Sequence, residues 1–321
     1  MKRIFFLISG LVSMQMSMAQ SKPVFTQYAY NNYLLNPALS GMESYTDIRA
    51  SYREQWRGID GAPKTGYVTA HGRLFGSGDG SSTGSHHGWG AAIMNDRAGY
   101  LNRWSINGSY AYQQPLNKDW ALAAGFQAGL SNIGLDRSKV NYGNLNDADL
   151  AIGFLTNDLR RMNLEMGVGL WLHSDKMFVG ASVLNIVTGK NKFQTEGTFG
   201  QSFTPNFFLT TGYRFELNED FKLTPSIMLQ YWKPQLLGTH VNVRVDYRDF
   251  MWAGGSFRYG SALSGMSAFL GMRVTERLNF NYAYEVATTS QLRNFAGNTH
   301  ELILGFKLGG DADGLEQQSV W

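Results

Sequence analysis

The chain contains no cysteine among its 321 residues. Disulfide bonds, thiolate metal sites and cysteine nucleophiles are therefore excluded. Charged residues are also scarce, since they make up 17% of the sequence, whereas soluble domains contain roughly 25%. The formal net charge of +3 is too close to neutral to indicate a nucleic-acid partner.

Long apolar stretches are missing as well. After residue 19, no run approaches the roughly 18 apolar residues that a transmembrane helix needs. If the mature protein enters a membrane, it must do so as a closed β-barrel, whose strands satisfy each other's backbone polar groups. Aromatic residues, at 14%, and glycine, with 37 residues, are by contrast abundant.

A cleaved signal peptide is predicted for residues 1–19. The chain starts with the basic segment Met1-Lys2-Arg3 and continues with a mostly apolar stretch to Met18. Small residues then precede the cleavage position after Ala19, at the spacing that a signal peptidase prefers. The alternative is an uncleaved membrane anchor, but the stretch is short for that role and contains Ser, Gly and Gln.

Apolar and polar residues alternate through most of the remaining chain. In one example, Val241, Val243 and Val245 alternate with Asn242 and Arg244, a pattern that indicates strands. These segments are about 10 residues or longer, which suits tilted membrane-spanning strands, whereas soluble strands average about 5–6 residues. The polar faces carry Arg, Asp and Asn, as a wet lumen would. The apolar faces often end in aromatic residues, as the girdles of outer-membrane barrels do.

The segments predict an all-β fold, a transmembrane antiparallel up-and-down β-barrel of about fourteen strands. An even count places both termini in the periplasm and makes short turns alternate with long outer loops. One connection does not fit, because the Gly/Ser-rich linker at residues 76–88 falls on the side of the short turns. The predicted strand centres are Ala50, Ala70, Ala92, Gly108, Gly125, Val168, Gly180, Leu209, Ile227, Val243, Ala253, Phe269, Asn281 and Leu304.

Residues 20–42 form a leader before the barrel, which we place at residues 43–308, and a polar tail follows at 309–321. The leader lacks clean alternation and carries turn formers at Asn36-Pro37 and Ser40-Gly41. Its aromatic residues favour an ordered segment, either a periplasmic strap or a plug inside the lumen, over a disordered leader. These aromatics are Phe25, Tyr28, Tyr30 and Tyr33.

The sequence offers no persuasive catalytic or metal-binding set. His86-His87 lies in the Gly/Ser linker with no carboxylate closer in sequence than Asp79, which is a weak metal signal. The segment Gly80-Ser81-Ser82-Thr83-Gly84 matches a nucleophile elbow in letters but lacks the strand-to-helix turn. Residues 144–149 lack the Gly and Glu of a calcium loop. We therefore predict no enzyme activity, no metal and no cofactor.

Two segments carry a resemblance to a known family. The run Pro23-Val24-Phe25-Thr26-Gln27-Tyr28, followed by Asn36-Pro37-Ala38 and Gly41, resembles the opening signature of the PorP/SprF family. The run Arg53-Glu54-Gln55-Trp56-Arg57-Gly58, continued by Gly61-Ala62-Pro63-Lys64-Thr65, resembles its second signature. Looser similarity extends over nearly the whole mature chain.

The resemblance implies an outer-membrane component of the type IX secretion system. That system exports proteins to the cell surface and in some cells supports gliding motility. The implied partners are outer-membrane lipid, periplasmic and outer-membrane secretion components, and secreted cargo proteins. Two other classes stay open on the residues alone: a channel of porin or hydrophobic-substrate transporter type, and a barrel enzyme using Ser/His or Asp/His pairs.

The first predicted hairpin is the best candidate for contacts with a partner. Arg53 falls on the lumen face, and Trp56 with Arg57 caps the hairpin at the outer rim. They either pack structurally, with an arginine pairing to a lumen carboxylate such as Asp47, or dock a secreted partner, because Trp and Arg dominate binding hot spots. The candidate partner-binding residues are Arg53, Trp56, Arg57, Phe25 and Tyr28.

Overall fold

The computed structural model describes eight segments of the chain, and the predicted signal peptide, Phe25 and residues 310–321 lie outside them. The described residues are 27–76, 84–135, 160–187, 189–192, 200–232, 237–260, 264–288 and 297–309. Within them, no helix has the length and apolar character needed to cross a membrane.

Seventeen strands make up almost all of the regular structure. Fifteen of them form one antiparallel sheet, and β8 pairs with β9 in a separate hairpin. The strands are β1 Thr46–Glu54, β2 Lys64–Gly76, β3 His86–Ala98, β4 Leu101–Pro115, β5 Ala121–Leu135, β6 Arg160–His173, β7 Met177–Leu184, β8 Gly189–Lys192, β9 Gly200–Phe203, β10 Asn206–Tyr213, β11 Phe215–Glu216, β12 Phe221–Trp232, β13 Gly238–Tyr247, β14 Met251–Tyr259, β15 Gly265–Arg273, β16 Leu278–Ala287 and β17 Thr299–Leu308.

The large sheet closes into a barrel. β1 pairs with β17 along its full length, from Thr46 opposite Leu308 to Glu54 opposite His300. β10 pairs with both β7 and β12, and the two-residue β11 follows β10 along the same side of β12. Counting β10 and β11 as one strand gives a closed barrel of fourteen antiparallel strands.

The predicted barrel and strand count are confirmed, since every predicted strand centre lies inside a strand of this sheet. Outer-membrane barrels have short turns on the periplasmic side, so we take the end with the short turns as periplasmic. The linker that did not fit joins β2 to β3 at this same end. The strand assignment there was therefore correct, and the longer periplasmic connection is a real feature of the barrel.

The strands are polar inside and apolar outside. In β4, the lumen-facing Arg103 and Ser105 are 9% and 6% exposed, whereas the neighbouring Trp104 and Ile106 are 47% and 60% exposed. The same alternation gives the barrel a continuous outer band of exposed aliphatic and aromatic side chains. Such a band matches the hydrocarbon layer of a bilayer.

Two periplasmic turns share one local motif. In Leu116–Trp120, the Asn117 Oδ1 atom accepts hydrogen bonds from the backbone N–H groups of Asp119 and Trp120 at 2.9 and 2.8 Å. In the turn from 217 to 221, Asn218 accepts the equivalent two bonds at the same distances. The asparagine side chain thereby replaces a backbone acceptor and closes the turn.

We expect Asn117→Ala to lower the free energy of unfolding by about 1 kcal/mol, because the turn loses its side-chain acceptor. Lys118→Ala is the control, since the Lys118 side chain makes no hydrogen bond among the described residues. Denaturant-induced unfolding of the lipid-reconstituted barrel, followed by tryptophan fluorescence, measures both. Equal stability of the two variants would show that the asparagine does not hold the turn.

Candidate functional site

The leader lies inside the barrel. Its described part, residues 27–42, forms three short 3-10 turns, Tyr28–Tyr30, Asn32–Leu34 and Pro37–Leu39. The third turn begins where Asn36 Oδ1 accepts a hydrogen bond from the Ala38 N–H at 3.0 Å, with Pro37 at the first position, where no N–H is needed. Most of these side chains are buried against the lumen wall.

Glycines in the barrel wall make room for the leader. A Cβ atom added to Gly169 of β6 would lie 1.9 Å from the Asn36 Oδ1 atom, and one added to Gly88 of β3 would lie 1.9 Å from the Ser40 carbonyl oxygen. Any larger residue would collide at these positions. The leader backbone and the strand backbones therefore touch directly, along a groove that only glycine can provide.

Hydrogen bonds tie the leader to strands all around the barrel. Tyr33 Oη shares a bond of 2.8 Å with Ser109 Oγ, and burial raises the pKa of the Tyr33 phenol to about 12, so it remains a neutral partner. The other bonds to the wall are Gln27 to the Glu301 carbonyl, Tyr28 to the His240 carbonyl, Asn31 to Thr69, Asn36 to the Leu170 carbonyl and Ser182 to the Leu35 carbonyl.

Aromatic and cationic side chains stack at the periplasmic end of the lumen. The Arg49 guanidinium lies 4.5 Å from the Tyr30 ring centroid, and Tyr30 stacks on Trp252 with centroids 5.6 Å apart. The Arg244 guanidinium also lies over Trp252, 5.0 Å from the centroid of that ring. This four-membered stack fixes the leader by cation–π contacts, which strengthen where water is excluded.

A buried ion cluster occupies the outer half of the lumen. Glu285 accepts a hydrogen bond of 2.6 Å from Arg258, and its carboxylate lies 3.8 Å from Arg53. Arg53 lies 3.7 Å from Glu301 as well. All four residues are 5% exposed or less. Two cations and two carboxylates thus neutralise each other inside the barrel, as buried charges must.

Arg53 of the first hairpin pairs with lumen carboxylates, as predicted, but Asp47 is not one of them. Asp47 pairs instead with Arg49, two residues along the same face, at 2.6 Å. Arg53 lies on the lumen face as predicted, but it is directed toward Glu285 and Glu301. The reason is distance, since six residues of extended strand separate Asp47 from Arg53 by about 20 Å.

Trp56 and Arg57 lie at the outer rim, in the loop between β1 and β2. The Trp56 backbone is left-handed, with φ of 54°, a conformation that is strained for a bulky residue. Contacts with the last outer loop hold it there, because the Trp56 N–H bonds to Thr299 Oγ1 at 3.3 Å and the Arg57 N–H to the Asn298 carbonyl at 3.1 Å. The Arg57 side chain is exposed.

The five predicted contact residues therefore occupy different places. Tyr28 is 2% exposed and packs edge-on against His240 inside the lumen, with ring centroids 5.5 Å apart. Arg53 is part of the ion cluster, and Trp56 with Arg57 forms the rim. Phe25 lies outside the described residues.

Sequence reasoning missed a cup that opens toward the outer end of the barrel. It is a cavity of about 90 Å³, with leader side chains as its floor and the buried Arg103–Glu165 ion pair in its wall. Amides and methionines complete the lining, which includes Leu34, Leu35, Met94, Asn107, Gln127, Leu184, Asn206, Phe208, Met228 and Gln230. The alternation along the strands predicts that these amides face the lumen. The floor of the cup depends on where the leader folds, which the alternation does not show.

The adjacent histidines point away from each other. His86 faces the lumen, where its Nε2 atom lies 3.0 Å from the Gly41 carbonyl oxygen, and His87 faces outward to the Tyr110 hydroxyl at 2.5 Å. They cannot bind one metal together. Within the described parts of the chain, no group of three His, Asp or Glu side chains is arranged to hold a metal ion.

Comparison with known proteins gives one family match. The family described as "Type IX secretion system membrane protein PorP/SprF" matches residues 17–306. No curated protein sequence matches the chain.

Three solved structures are similar to this chain. The CymD monoaromatic hydrocarbon channel has a TM-score of 0.55 at 12% identity, covering 93% of this chain and 97% of its own. A deltaS2 mutant of the TodX monoaromatic hydrocarbon channel has a TM-score of 0.50 at 11% identity, covering 88% and 94%. Omp33 of Acinetobacter baumannii has a TM-score of 0.49 at 8% identity, covering 84% and 100%. At these identities the likeness shows the fold alone.

We expect Gly169→Val to displace the leader and to open the lumen to ions, because its side chain would occupy the position of Asn36. Planar-bilayer recordings should show little conductance for the wild-type barrel and a clear increase for the variant. Gly108→Val is the control, since Gly108 lies on the outer face and a Cβ atom added there would come no closer than 4.0 Å to a neighbouring atom. A Gly169→Val barrel that folds but does not conduct ions would contradict the packing of the leader against the wall.

We expect Glu285→Gln to destabilise the barrel by roughly 3–5 kcal/mol, because the Arg53 and Arg258 guanidiniums would stay buried without their shared carboxylate. Glu216→Gln is the control, because Glu216 pairs with Lys176 on the exposed surface at the periplasmic end, where an ion pair contributes little to stability. The midpoints of thermal unfolding in detergent measure both. Similar midpoints would show that the cluster is hydrated rather than buried.

Proposed function

The chain belongs to the PorP/SprF family of type IX secretion system membrane proteins, and on this premise we propose that it is a plugged outer-membrane barrel that works through protein–protein contacts. In this proposal it supports the export or surface attachment of particular cargo proteins, including adhesins in cells that glide. Its partners are the periplasmic and outer-membrane components of the secretion system and the cargo itself.

The observation that carries the proposal is the occupied lumen. The leader contacts the wall through direct packing on Gly88 and Gly169 and through the Arg49–Tyr30–Trp252 stack. A pore needs a continuous polar path, whereas here the leader and the Glu285 cluster fill the barrel at two levels. A barrel that does not conduct can still act at its two ends, where it meets the periplasm and the cell surface.

The first hairpin is the proposed contact surface for cargo. Trp56 is held in a strained conformation, and strain of this kind is often maintained at functional sites. Its neighbour Arg57 is exposed beside it at the outer rim. A rigid Trp–Arg pair at a rim has the composition of a binding hot spot. Tyr28 and Phe25 would contribute indirectly, by positioning the leader.

The alternative function is a channel of porin or hydrophobic-substrate transporter type. It draws on the fold likeness to CymD and TodX, which are monoaromatic hydrocarbon channels. The fold likeness by itself does not favour it, because the same barrel serves many functions. Family and fold are those of a membrane barrel, and neither is that of a known enzyme family.

The test combines deletion, purification and rim variants. Tagged barrel should co-purify with secretion-system components, and its deletion should remove a defined set of proteins from the cell surface. Recovery of no secretion-system component would overturn the proposal. The same surface proteins should fall at least tenfold in a Trp56→Ala, Arg57→Ala double variant, which corresponds to a loss of about 1.4 kcal/mol or more of binding.

Arg277→Ala is the matched control for the rim variant. Arg277 is an exposed arginine in a turn at the periplasmic end, and its side chain forms no ion pair among the described residues. We expect this variant to leave the surface proteins unchanged. Equal effects of the two variants would show that the outer rim is not the contact surface.

A further inference from the structure

Charged and polar side chains form a row on the outside of the barrel, at the outer ends of β1 to β4. Glu54, the last residue of β1, lies opposite Lys64, the first residue of β2. Lys64 in turn lies opposite Arg97 of β3, and Arg97 lies opposite Asn102 of β4. Opposite residues of a ladder share one face of the sheet. These four residues, which we name the rim row, therefore project side by side from the same face.

The rim row lies just beyond the aromatic girdle. Tyr52 is two residues before Glu54 in β1, and Trp104 is two residues after Asn102 in β4, so each shares the face of the rim row. They are 51% and 47% exposed on the outside of the barrel. Girdle aromatics lie at the membrane–water interface. The rim row, one step farther from the middle of the barrel, therefore faces the lipid headgroups of the outer leaflet.

The rim row holds an excess of positive charge. Lys64 Nζ pairs with Glu54 Oε1 at 2.9 Å, and the positive charge of Arg57 in the following loop acts on the same carboxylate. The Arg97 side chain forms no ion pair or hydrogen bond among the described residues. Arg97 stands directly across from Lys64, where Cβ atoms are about 5 Å apart and like charges destabilise the pairing. An anion bound between these two cations would remove that cost.

A short turn leaves Arg97 accessible. β3 ends at Ala98 and β4 begins at Leu101, so Gly99 and Tyr100 alone connect them, and Arg97 is exposed. The Asn102 Oδ1 atom accepts a hydrogen bond of 2.7 Å from Asn95. The Nδ2 group of Asn102 remains as a further donor beside the guanidinium.

The other side of the rim carries different residues. On the seven long strands from β7 to β16, the last outward-facing residue at the outer end is uncharged. These residues are Val183, Phe207, Tyr231, Thr239, Tyr259, Met266 and Val286. A general attraction to anionic headgroups would need cations all around the barrel. The one-sided position of Lys64 and Arg97 in the described structure indicates a localised site instead.

We propose that the rim row binds the phosphate group of an outer-leaflet glycolipid, with Lys64 and Arg97 as its cationic ligands. A guanidinium matches two phosphate oxygens at once, and an ammonium adds a point charge. The acyl chains of the lipid would run toward the membrane centre past Tyr52 and Trp104. The site faces lipid at headgroup level, which favours a lipid over an acidic protein. This inference is independent of the proposed function.

The test compares lipid binding by two double variants of the full-length barrel. Lys64→Gln with Arg97→Gln removes both cations of the site. Lys118→Gln with Arg277→Gln is the matched control, because it removes two exposed cations at the periplasmic end that form no ion pair among the described residues. Heat-modifiable migration in gels verifies folding. Native mass spectrometry of the detergent-solubilised barrel measures its affinity for diphosphoryl lipid A.

We expect the rim double variant to bind lipid A roughly tenfold more weakly or less, about the effect of losing two cations near a lipid surface. The control should bind like the wild type. Unchanged binding by the rim variant, or an equal loss in the control, would overturn the inference. Arg97→Gln alone breaks no ion pair, so it covers the case in which the double variant does not fold, and it should also weaken binding.

Glu54→Gln makes the opposite prediction. It removes the carboxylate that competes for Lys64, so we expect tighter binding of lipid A. A row that only held the hairpin together would gain nothing from this change, and unchanged or weaker binding would contradict a phosphate site.

Two further measurements identify the source of the anion. Lipid A with its phosphates removed should bind the wild type as weakly as lipid A binds the rim variant, and inorganic phosphate at the same concentration should not displace lipid A. Displacement by inorganic phosphate would indicate a site for free anions. Normal lipid A binding by the rim variant, together with a loss of surface proteins in cells, would indicate an acidic protein partner. Either result would overturn the lipid assignment.

Discussion

The need to pair every backbone N–H and C=O group within hydrocarbon governs this structure. A sheet in a membrane has no water to satisfy its edges, so it must close on itself. Here β1 meets β17, and β10 bridges β7 and β12. A closed sheet in lipid then places its apolar side chains outward, toward the lipid, and its polar side chains inward, toward the lumen.

Closure leaves a polar interior that must be hydrated or filled, and this barrel fills it with its own leader. Charges inside are neutralised in place, around Glu285 in the outer half and in the Asp47–Arg49 pair near the periplasmic end. The glycine groove brings leader and wall into backbone contact, which leaves little freedom for either to move alone. The barrel is therefore a rigid support whose distinct surfaces are its rim, its cup and its turns.

Most of the fold could be predicted because its signal is local. A period of two along each strand identifies the strand and its lumen face from neighbouring residues, so all fourteen centres and the inward position of Arg53 followed from the sequence. Interactions across the barrel could not be predicted in this way. Asn36 bonds to Leu170, 134 positions later, and no spacing rule links two such residues. Arg53 likewise pairs with Glu285 and Glu301, which lie near the other end of the chain.

The sequence by itself determined an exported, outer-membrane β-barrel, since alternation, strand length and the lack of long apolar runs allow no other membrane fold. Its signatures also identified the family. Only the tertiary structure decided that the leader occupies the lumen, that Tyr28 is buried there, and that Arg53 pairs with Glu285 and Glu301. These features depend on which strand glycines and which loop ends meet in space, and alternation along one strand carries no information about its distant neighbours.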